Sequence, residues 1–361
     1  MPPGTTVDLS ALASGVSPDV RALPLSVLDL SPVPSGSRPS QSLRRTVELA
    51  QHAERFGYER FWVAEHHSLP SVSSSAPMVM MATVAAATST IRVGSGGIML
   101  PNHSPLTVAE GFRVLHGLHP GRIDLGIGRA PGTDQLTAYA LRRSREALTA
   151  DDFPQQYGEL VAYVDGFPDG HPFSPITAMP DDVPLPPVWI LGSSLFGGRA
   201  AAAFGTRFAF AGHFGSVDPA EAVDGYRSAF EPSTRAGSTT EPRVMLAVAA
   251  IVAETAERAQ ALGLAHALST ARLRTNHPGP LPSPEEAAAH QWTQAEQQVA
   301  EATRRFVSVG TADQVADDLR RRALHAGADE LIVTTHVHDP AERIRSYELL
   351  MSEWDAERLA S

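Results

Sequence analysis

Short apolar runs alternate with longer segments of helical periodicity along most of the chain. The first apolar run covers residues 25–30, and a segment with a regularly recurring apolar face follows at 40–57. Ser40 suits the N-terminal cap of that segment and Gly57 suits its end, because each satisfies or accommodates the backbone at that position. The pattern predicts a buried strand followed by an amphipathic helix.

The same unit recurs to the end of the chain. Strands are predicted at 25–30, 61–65, 91–100, 123–127, 188–191, 207–211, 244–252 and 331–335, and helices at 40–57, 76–89, 105–119, 199–204, 219–230 and 340–359. Strands that alternate with helices in this way favour an α/β fold of the (β/α)8 TIM-barrel type. An open doubly wound sheet is the alternative.

Two segments interrupt the alternation. Residues 151–187 are rich in Pro, Asp and Gly, and residues 275–300 begin with several Pro and continue as a polar Ala/Glu/Gln helix. They are predicted to be insertions after strands four and seven, where long segments often form lids or binding loops. An exposed decoration explains the first segment equally well. The expected organisation is a loosely ordered leader at 1–22 and one barrel domain at 23–361.

Composition excludes several classes of function. The chain has 361 residues, of which 43% are hydrophobic, and this suits one barrel with a large core. The net charge of −11 argues against a nucleic-acid partner, and the absence of Cys excludes disulfides, thiolate catalysis and Cys-ligated zinc. No apolar run is long enough for a membrane span, and no secretory signal opens the chain. We therefore expect a cytoplasmic protein.

Three ionisable residues, Glu65, His66 and His67, end the second predicted strand. In an α/β barrel the carboxyl ends of the strands carry the chemistry. Neighbouring strand residues point to opposite faces, so one His is expected to enter the barrel mouth while the other turns away. Histidine suits general acid–base catalysis, although a structural histidine is an equal alternative. A metal site is not expected, because no third ligand follows at a suitable spacing.

Glycines mark the ends of the third and fourth strands. Gly96 and Gly97 would let a flat ligand lie against the main chain, although a simple β-bulge is the alternative. The glycines at 126, 128 and 132 are wrongly spaced for a dinucleotide-binding motif. Arg129, which follows the fourth strand, could hold a phosphate.

Small residues follow the fifth strand at 191–198, where Ser193 and Ser194 precede a predicted helix. Free N–H groups at a helix N-terminus favour an anion, and the extra glycines exceed what ordinary capping by serine requires. Because these sites follow successive strands, they converge on one face of a barrel. Together they describe a pocket for a phosphorylated planar cofactor such as FMN.

At this point the chain resembles the bacterial luciferase-like flavin monooxygenases over roughly residues 24–357. The resemblance is carried by FWVAEHH at 61–67, VGSGGIMLPNH at 93–103, PGRIDLGIGRAPGTD at 120–134, WILGSS at 189–194, FAFAGHF at 208–214 and GADELIVTT at 327–335. It implies a TIM barrel that binds reduced FMN, activates O2 as a flavin C4a-peroxide and oxygenates an organic substrate. Gly128 departs from luciferase, which has Cys there, and this puts light emission in doubt.

The resemblance also assigns roles to residues. It implies that His66 is catalytic, that the Gly96–Gly97 bond is a cis peptide under the flavin, and that Arg129 holds the phosphate. A further phosphate-binding arginine maps to Arg142 or Arg143. The predicted cofactor-binding set is Glu65, Gly96, Gly97, Asn102, Arg129, Arg142, Ser193 and Ser194, with His213 in the substrate pocket and no metal.

The sequence has no nicotinamide-binding motif, so a separate flavin reductase is expected to supply reduced FMN. The substrate is expected to be a small, mainly apolar organic molecule, and the segment 275–300 is a candidate lid. An F420-dependent oxidoreductase and a non-catalytic flavin-binding protein are the alternatives. A homodimer that pairs through helices two and three is expected from the resemblance.

Overall fold

The computed structural model describes residues 23–149 and 152–360. Its strands are β1 Leu25–Asp29, β2 Arg60–Val63, β3 Arg92–Ser95, β4 Ile98–Met99, β5 Ile123–Gly128, β6 Val188–Gly192, β7 Arg207–Ala211, β8 Val244–Val252, β9 Val307–Gly310 and β10 Glu330–Thr334. The predicted leader at 1–22 lies outside the described residues.

The helices cover the outside of the sheet. They are α1 Pro39–Phe56, α2 Pro77–Ala87, α3 Pro105–Leu118, α4 Gln135–Arg142, α5 Arg145–Thr149, α6 Phe153–Asp165, α7 Leu195–Phe204, α8 Pro219–Ser228, α9 Ala256–Arg274, α10 Pro284–Ala289, α11 Gln294–Thr303, α12 Ala312–Ala326 and α13 Pro340–Ala360. No helix of the described ranges combines the length and the apolar character needed to cross a membrane.

Eight of the strands close into a parallel barrel. They follow the order β1, β2, β3, β5, β6, β7, β8 and β10, and β10 pairs back onto β1 with Leu25 opposite Leu331. The prediction of a TIM barrel is confirmed, and closure excludes the open doubly wound sheet. Parallel strands covered by helices are buried on both faces, which is why they appear in the sequence as nearly continuous apolar runs.

The prediction of one unbroken strand at 91–100 is wrong. The strand is interrupted at a cis peptide between Gly96 and Gly97. After this peptide the short strand β4 pairs with β5. A short 3-10 turn follows at Leu100–Asn102. The break leaves the backbone of Gly96 and Gly97 outside the regular ladder at the barrel mouth.

The second half contains elements that the sequence pattern did not predict. The strand β9 pairs with the far half of β8, from Ala249 to Val252, beyond the level at which β8 contacts β7. The helices α9 and α12 also lacked a prediction. The helix α7 begins at Leu195 and not at residue 199 as predicted, because its first turn follows β6 directly.

The two interrupting segments differ in structure. The first contains α6, which buries Phe153, Tyr157 and Leu160 and packs against α3, and only the remainder is irregular. The second contains the short helices α10 and α11, both packed against α9. A polar helix is therefore present in the second segment, but it is divided in two.

Charged residues close the opposite end of the barrel. The guanidinium of Arg60 lies 2.8 Å from Asp124 and 2.8 Å from Glu330, and Arg92 also pairs with Asp124. All four residues stand at the amino ends of their strands. Above them the rings of Trp62 and Trp189 pack edge to face. These side chains fill this end of the barrel, whereas the carboxyl ends of the strands border a cavity.

Candidate active site

A cavity of about 440 Å³ opens at the carboxyl ends of the barrel strands. Its floor is apolar and comes from the barrel interior, with Trp62, Ala64, Ile190, Ala209, Ala247 and Ile332 among the contributing side chains. Loops after the strands and one face of α9 form its walls. Ligand cavities of this size with few polar groups are typical of sites for cofactors and small organic molecules.

Six of the predicted site residues line this one cavity. They are His66, Gly96, Arg129, Ser193, Ser194 and His213. They come from the ends of five barrel strands, as the convergence argument requires. Glu65, Gly97, Asn102 and Arg142 do not line the cavity.

His66 enters the cavity and His67 does not, as the alternation of strand residues predicts. The Nδ1 atom of His66 lies 3.1 Å from the carbonyl oxygen of Gly132. Because a carbonyl oxygen only accepts, Nδ1 carries the proton, and Nε2 of the neutral ring is then an acceptor. Burial lowers the pKa of His66, against the opposing effects of the Gly132 carbonyl and Glu65. The ring is therefore a neutral base at physiological pH.

Glu65 is fully buried behind the cavity wall. Its carboxylate accepts hydrogen bonds from His67 and His103, each at 2.9 Å, and from the backbone N–H of Met99 at 2.9 Å. Burial alone would raise the pKa of Glu65, but these hydrogen bonds outweigh it and hold the pKa below its ordinary value. The charged carboxylate thus ties β2 to β4. Glu65 does not line the cavity, and its part in binding the cofactor stays a prediction.

The cis peptide implied by the resemblance is present between Gly96 and Gly97. Gly96 faces the cavity, whereas Gly97 presses against β5, where an added Cβ would stand 2.9 Å from the carbonyl oxygen of Gly126. The hydroxyl of Ser95 donates to that same oxygen at 2.8 Å and accepts from the Gly126 N–H at 3.0 Å. The main chain at Gly96 is therefore held in place and presents a surface without side chains to the cavity, which we call the Gly96 ledge.

A candidate anion subsite lies where β5 and β6 end. The Arg129 guanidinium lies 4.0 Å from the centroid of the Phe196 ring, which holds it beside the start of α7. Ser194 is the N-cap residue of α7, yet its side chain makes no capping hydrogen bond. Ordinary capping therefore does not account for the serine. The first N–H groups of α7, two hydroxyls and one guanidinium suit a phosphate.

Gly192 and Gly197 allow the tight turn between β6 and α7. A Cβ on Gly197 would stand 2.9 Å from the Cα of Gly192, and a Cβ on Gly192 would stand equally close to Gly197. The start of α7 can therefore lie directly against the end of β6. The close approach brings the N-terminus of the helix to the cavity wall.

Asn102 and Arg142 bond to each other outside the cavity. The Nε atom of Arg142 donates to Oδ1 of Asn102 at 3.1 Å, and the Asn102 amide donates to the carbonyl oxygen of Pro131 at 3.0 Å. Arg143 is the left-handed residue that ends α4. Their polar groups join the turn after β4 to the loop after β5, and their contact with a cofactor stays a prediction.

Sequence reasoning missed two histidines and one arginine of the cavity wall. His266 and Arg274 come from α9, and His336 follows β10. The ring centroids of His266 and His336 lie 5.6 Å apart. Burial lowers the pKa of His213 and of His266 to about 4, and it also lowers that of His336. The spacing of residues 266, 270 and 274 was the available signal, since it places them on one face of a helix.

The sequence pattern of the luciferase-like monooxygenase family matches residues 23–330. A luciferase-like monooxygenase of Escherichia coli is 38% identical, with 92% of this chain and 97% of that protein covered. The chain belongs to the luciferase-like monooxygenase family. The N-acetyl-S-alkylcysteine monooxygenase of Bacillus subtilis is 34% identical, with 90% of this chain and 96% of that protein covered.

Solved structures agree with the family. The structure of apo-MsnO8 superimposes with a TM-score of 0.81 at 38% identity, covering 93% of this chain and 98% of the other. More distant structures share the fold alone. They include the FMN complex of the oxygenating component of 3,6-diketocamphane monooxygenase from Pseudomonas putida, at 18% identity and TM-score 0.67. An F420-dependent secondary alcohol dehydrogenase has 14% identity and TM-score 0.64.

Proposed function

We propose that this protein is an FMN-dependent monooxygenase that uses reduced FMN and O2 to oxygenate a small organic substrate. The observation that carries the proposal is that the anion subsite, the Gly96 ledge and His66 line one cavity. A phosphate, a planar ring system and a substrate would each find a fitting surface there. The family membership supports monooxygenation as the class of reaction.

The cavity fits FMN on its own geometry. Arg129 and the uncapped start of α7 would hold the phosphate, and the bare main chain at Gly96 would support the ring system. Reduced FMN, when bound, supplies the electrons that activate O2. The apolar floor would keep water away from the reacting atoms, which favours oxygenation of the substrate over release of the reduced oxygen as hydrogen peroxide.

We assign proton transfer to His66. Its Nε2 is left as an acceptor, because Nδ1 donates to the carbonyl oxygen of Gly132. A neutral imidazole with a fixed orientation can take up a proton from the reacting group and return it. Glu65 acts indirectly, because it holds the N–H of Met99 and so fixes β4 beside the ledge.

We propose a separate reductase as the source of reduced FMN. The sequence carries no Gly-rich motif of the nicotinamide-binding type after any predicted strand. The relative from Bacillus subtilis is named for oxygenation of N-acetyl-S-alkylcysteines, which are small organic molecules with an alkyl part. A small substrate with an apolar part would fit the mainly apolar lining of this cavity.

We also propose a homodimer that pairs through α2 and α3. These helices expose Val79, Val114 and Leu118, and both Val79 and Leu118 are 66% exposed. Apolar side chains grouped on neighbouring helices are typical of an interface. A double variant, Val79→Glu with Leu118→Glu, should convert a dimer to a monomer in sedimentation equilibrium. Leu324→Glu, on α12, is the control that should leave the mass unchanged, and a wild-type monomer would refute the dimer.

Two measurements test the proposed reaction. Titration of the apoprotein with FMN and with F420 should show preferential binding of FMN. Stopped-flow mixing of FMNH2-loaded protein with O2 should then show a transient absorbance that differs from both reduced and oxidised flavin. Preferential F420 binding, or direct conversion of reduced to oxidised flavin without a transient species, would overturn the proposal. Slow formation of peroxide alone with every substrate would favour a non-catalytic flavin-binding protein.

A further inference from the structure

The cavity has an unusual charge distribution for this protein. The chain carries a net charge of −11, yet no Asp, Glu or Lys is among the described residues that line the cavity. The lining includes two arginines, Arg129 and Arg274, and four histidines. Burial keeps the histidines neutral at physiological pH, with the pKa of His213 and His266 near 4. The two arginines are thus the permanent charges of the cavity wall.

Arg274 is not needed for the phosphate of FMN. Arg129 stands at the end of β5, and Arg274 belongs to the helix that follows β8. The strands β6 and β7 separate β5 from β8 around the barrel, and Arg274 is the last residue of the long helix after β8. The phosphate of FMN would be bound at Arg129, and the role of Arg274 on the cavity wall then needs another explanation.

The helix α9 presents one face to the cavity. Its lining residues are His266, Ser269, Thr270, Leu273 and Arg274. Their spacing of three or four positions is that of a single helical face. The opposite side of α9 packs against α10 and α11. His266, Ser269 and Thr270 are half-buried on this face, whereas Leu273 and Arg274 at its end are exposed. A polar helical face that borders a cavity is placed to contact a ligand.

Arg274 has no ion-pair partner among the described residues, and no side-chain hydrogen bond is formed by it there. Its neighbour Arg272 is also in the last turn of α9 but does not line the cavity. A basic residue in the last turn stabilises a helix through its dipole, and this effect explains Arg272 as well as Arg274. The two arginines differ in that Arg274 lines the cavity and Arg272 does not.

We propose that Arg274 binds a carboxylate group of the organic substrate, with His266 and Thr270 as neutral hydrogen-bonding neighbours. The inference rests on the proposed function, since it names the substrate class of the same cavity. The guanidinium offers a planar pair of donors that matches a carboxylate. The apolar part of the substrate would lie on Leu273 and the barrel floor, directed towards His66.

Two other ligands are disfavoured by the same residues. A metal ion is disfavoured because no three His, Cys, Asp or Glu side chains of the described ranges are grouped to hold one. A cationic substrate is disfavoured because it would meet two arginines and no carboxylate on the wall. A carboxylate would instead meet the guanidinium of Arg274 and no like charge among the described residues of the wall.

The test compares acids with their amides in the FMN-saturated protein. Isothermal titration calorimetry at neutral pH would use hexanoate, octanoate and phenylacetate, each against its primary amide. At least one acid should bind wild type about tenfold more tightly than its amide, since a charged hydrogen-bonded pair contributes about that factor. Arg274→Gln should abolish this preference while leaving amide affinity within about twofold, and Arg274→Lys should retain part of it.

Arg272→Gln is the matched control, because it removes the same charge from the same helix turn without altering the cavity wall. It should keep the full preference for the acid. The proposal is overturned if no acid binds better than its amide, if no acid binds at all, or if Arg272→Gln and Arg274→Gln lower acid affinity equally.

FMN affinity is measured separately in each variant by quenching of flavin fluorescence. Failure of wild type to bind FMN would refute the proposed function, whereas an acid preference in the apoprotein would still support the carboxylate site. Normal FMN binding without any preference for the acid would support the proposed cofactor and refute the carboxylate site. The two proposals can therefore fail independently.

Discussion

The Nδ1 atom of His66 lies 3.1 Å from the carbonyl oxygen of Gly132, and this contact fixes which nitrogen of the ring is available for chemistry. Gly132 belongs to the loop after β5, so the orientation of a residue that follows β2 depends on a loop two strands away around the barrel. The same loop carries Arg129. The candidate base and the anion subsite are thus held by one short segment.

Replacing His66 by Ala should lower the rate of product formation by about two to four powers of ten, the usual size of an acid–base contribution. FMN affinity should stay within about threefold of wild type, because phosphate binding does not involve this ring. His67→Gln is the control and should lose less than about tenfold, since Glu65 keeps its bonds to His103 and Met99. Equal turnover in His66→Ala and wild type would refute the role.

The pH profile provides a second test of His66. Its pKa is lowered below the ordinary 6.5, chiefly by burial, and the neutral form is the active base. Activity should therefore hold down to pH values below 6.5 and then decline as the ring becomes protonated. The acid limb should disappear in His66→Ala. A limb that persists there would belong to another group.

Arg129→Ala should weaken FMN binding by about tenfold to a hundredfold, because a charge-assisted hydrogen bond to phosphate is lost. Riboflavin, which lacks the phosphate, should bind both proteins equally. Arg44→Ala removes a positive charge from the exposed side of α1 and serves as the control for net charge. An unchanged dissociation constant for FMN in Arg129→Ala would contradict the phosphate assignment.

Gly197→Ala should disturb the start of α7, because the added Cβ would stand 2.9 Å from the Cα of Gly192. We expect a loss of about 1–3 kcal/mol in the free energy of unfolding and weaker FMN binding. Gly225→Ala, in α8, is the matched control, since nothing lies within 4 Å of its Cβ. It should stabilise the protein by up to about 1 kcal/mol. Urea unfolding and FMN titration measure both effects.

Asp124→Asn should destabilise the barrel by about 3–5 kcal/mol, because it removes the buried carboxylate that Arg60 and Arg92 share and leaves Glu330 as the remaining buried partner of Arg60. Burial would raise the pKa of Asp124, but the two arginines outweigh burial and hold it below the ordinary 3.8. The stabilisation is therefore complete above pH 3.8 and is lost as the pH falls through the lower folded-state value.

Urea unfolding across this pH range measures both the loss and its pH dependence. The control is Asp317→Asn, whose side chain is 65% exposed and 3.9 Å from Arg320. It should cost less than about 1 kcal/mol. If Asp124→Asn cost no more than the control, the ion pairs would not stabilise the barrel.

The sequence predicted most of the barrel because each of its strands is buried on both faces and so appears as an apolar run. His66, Arg129 and Ser193 were found for the same reason, since each directly follows such a run. The strand β9 was missed because it is only four residues long and Ser308 interrupts its apolar run. It pairs with a distant strand, and nothing in its own residues indicates that partner.

The polar wall of the cavity could not be predicted from periodicity alone. His266 and Arg274 share a helical face with Thr270, and such a face is typical of one turned to solvent. Only tertiary packing shows that the face is turned inward. Similarly, the spacing of Asn102 and Arg142 gave no sign that they bond to each other.

The position of α9 at the barrel mouth has a consequence for engineering this protein. The residues proposed to bind the flavin belong to the ends of β3, β5 and β6, whereas those proposed to select the substrate are carried on one helix. Exchanging a few side chains of that helix should change the substrate preference without altering the residues proposed to bind the flavin. A library confined to positions 266, 269, 270, 273 and 274 is therefore the economical starting point for redirecting the enzyme.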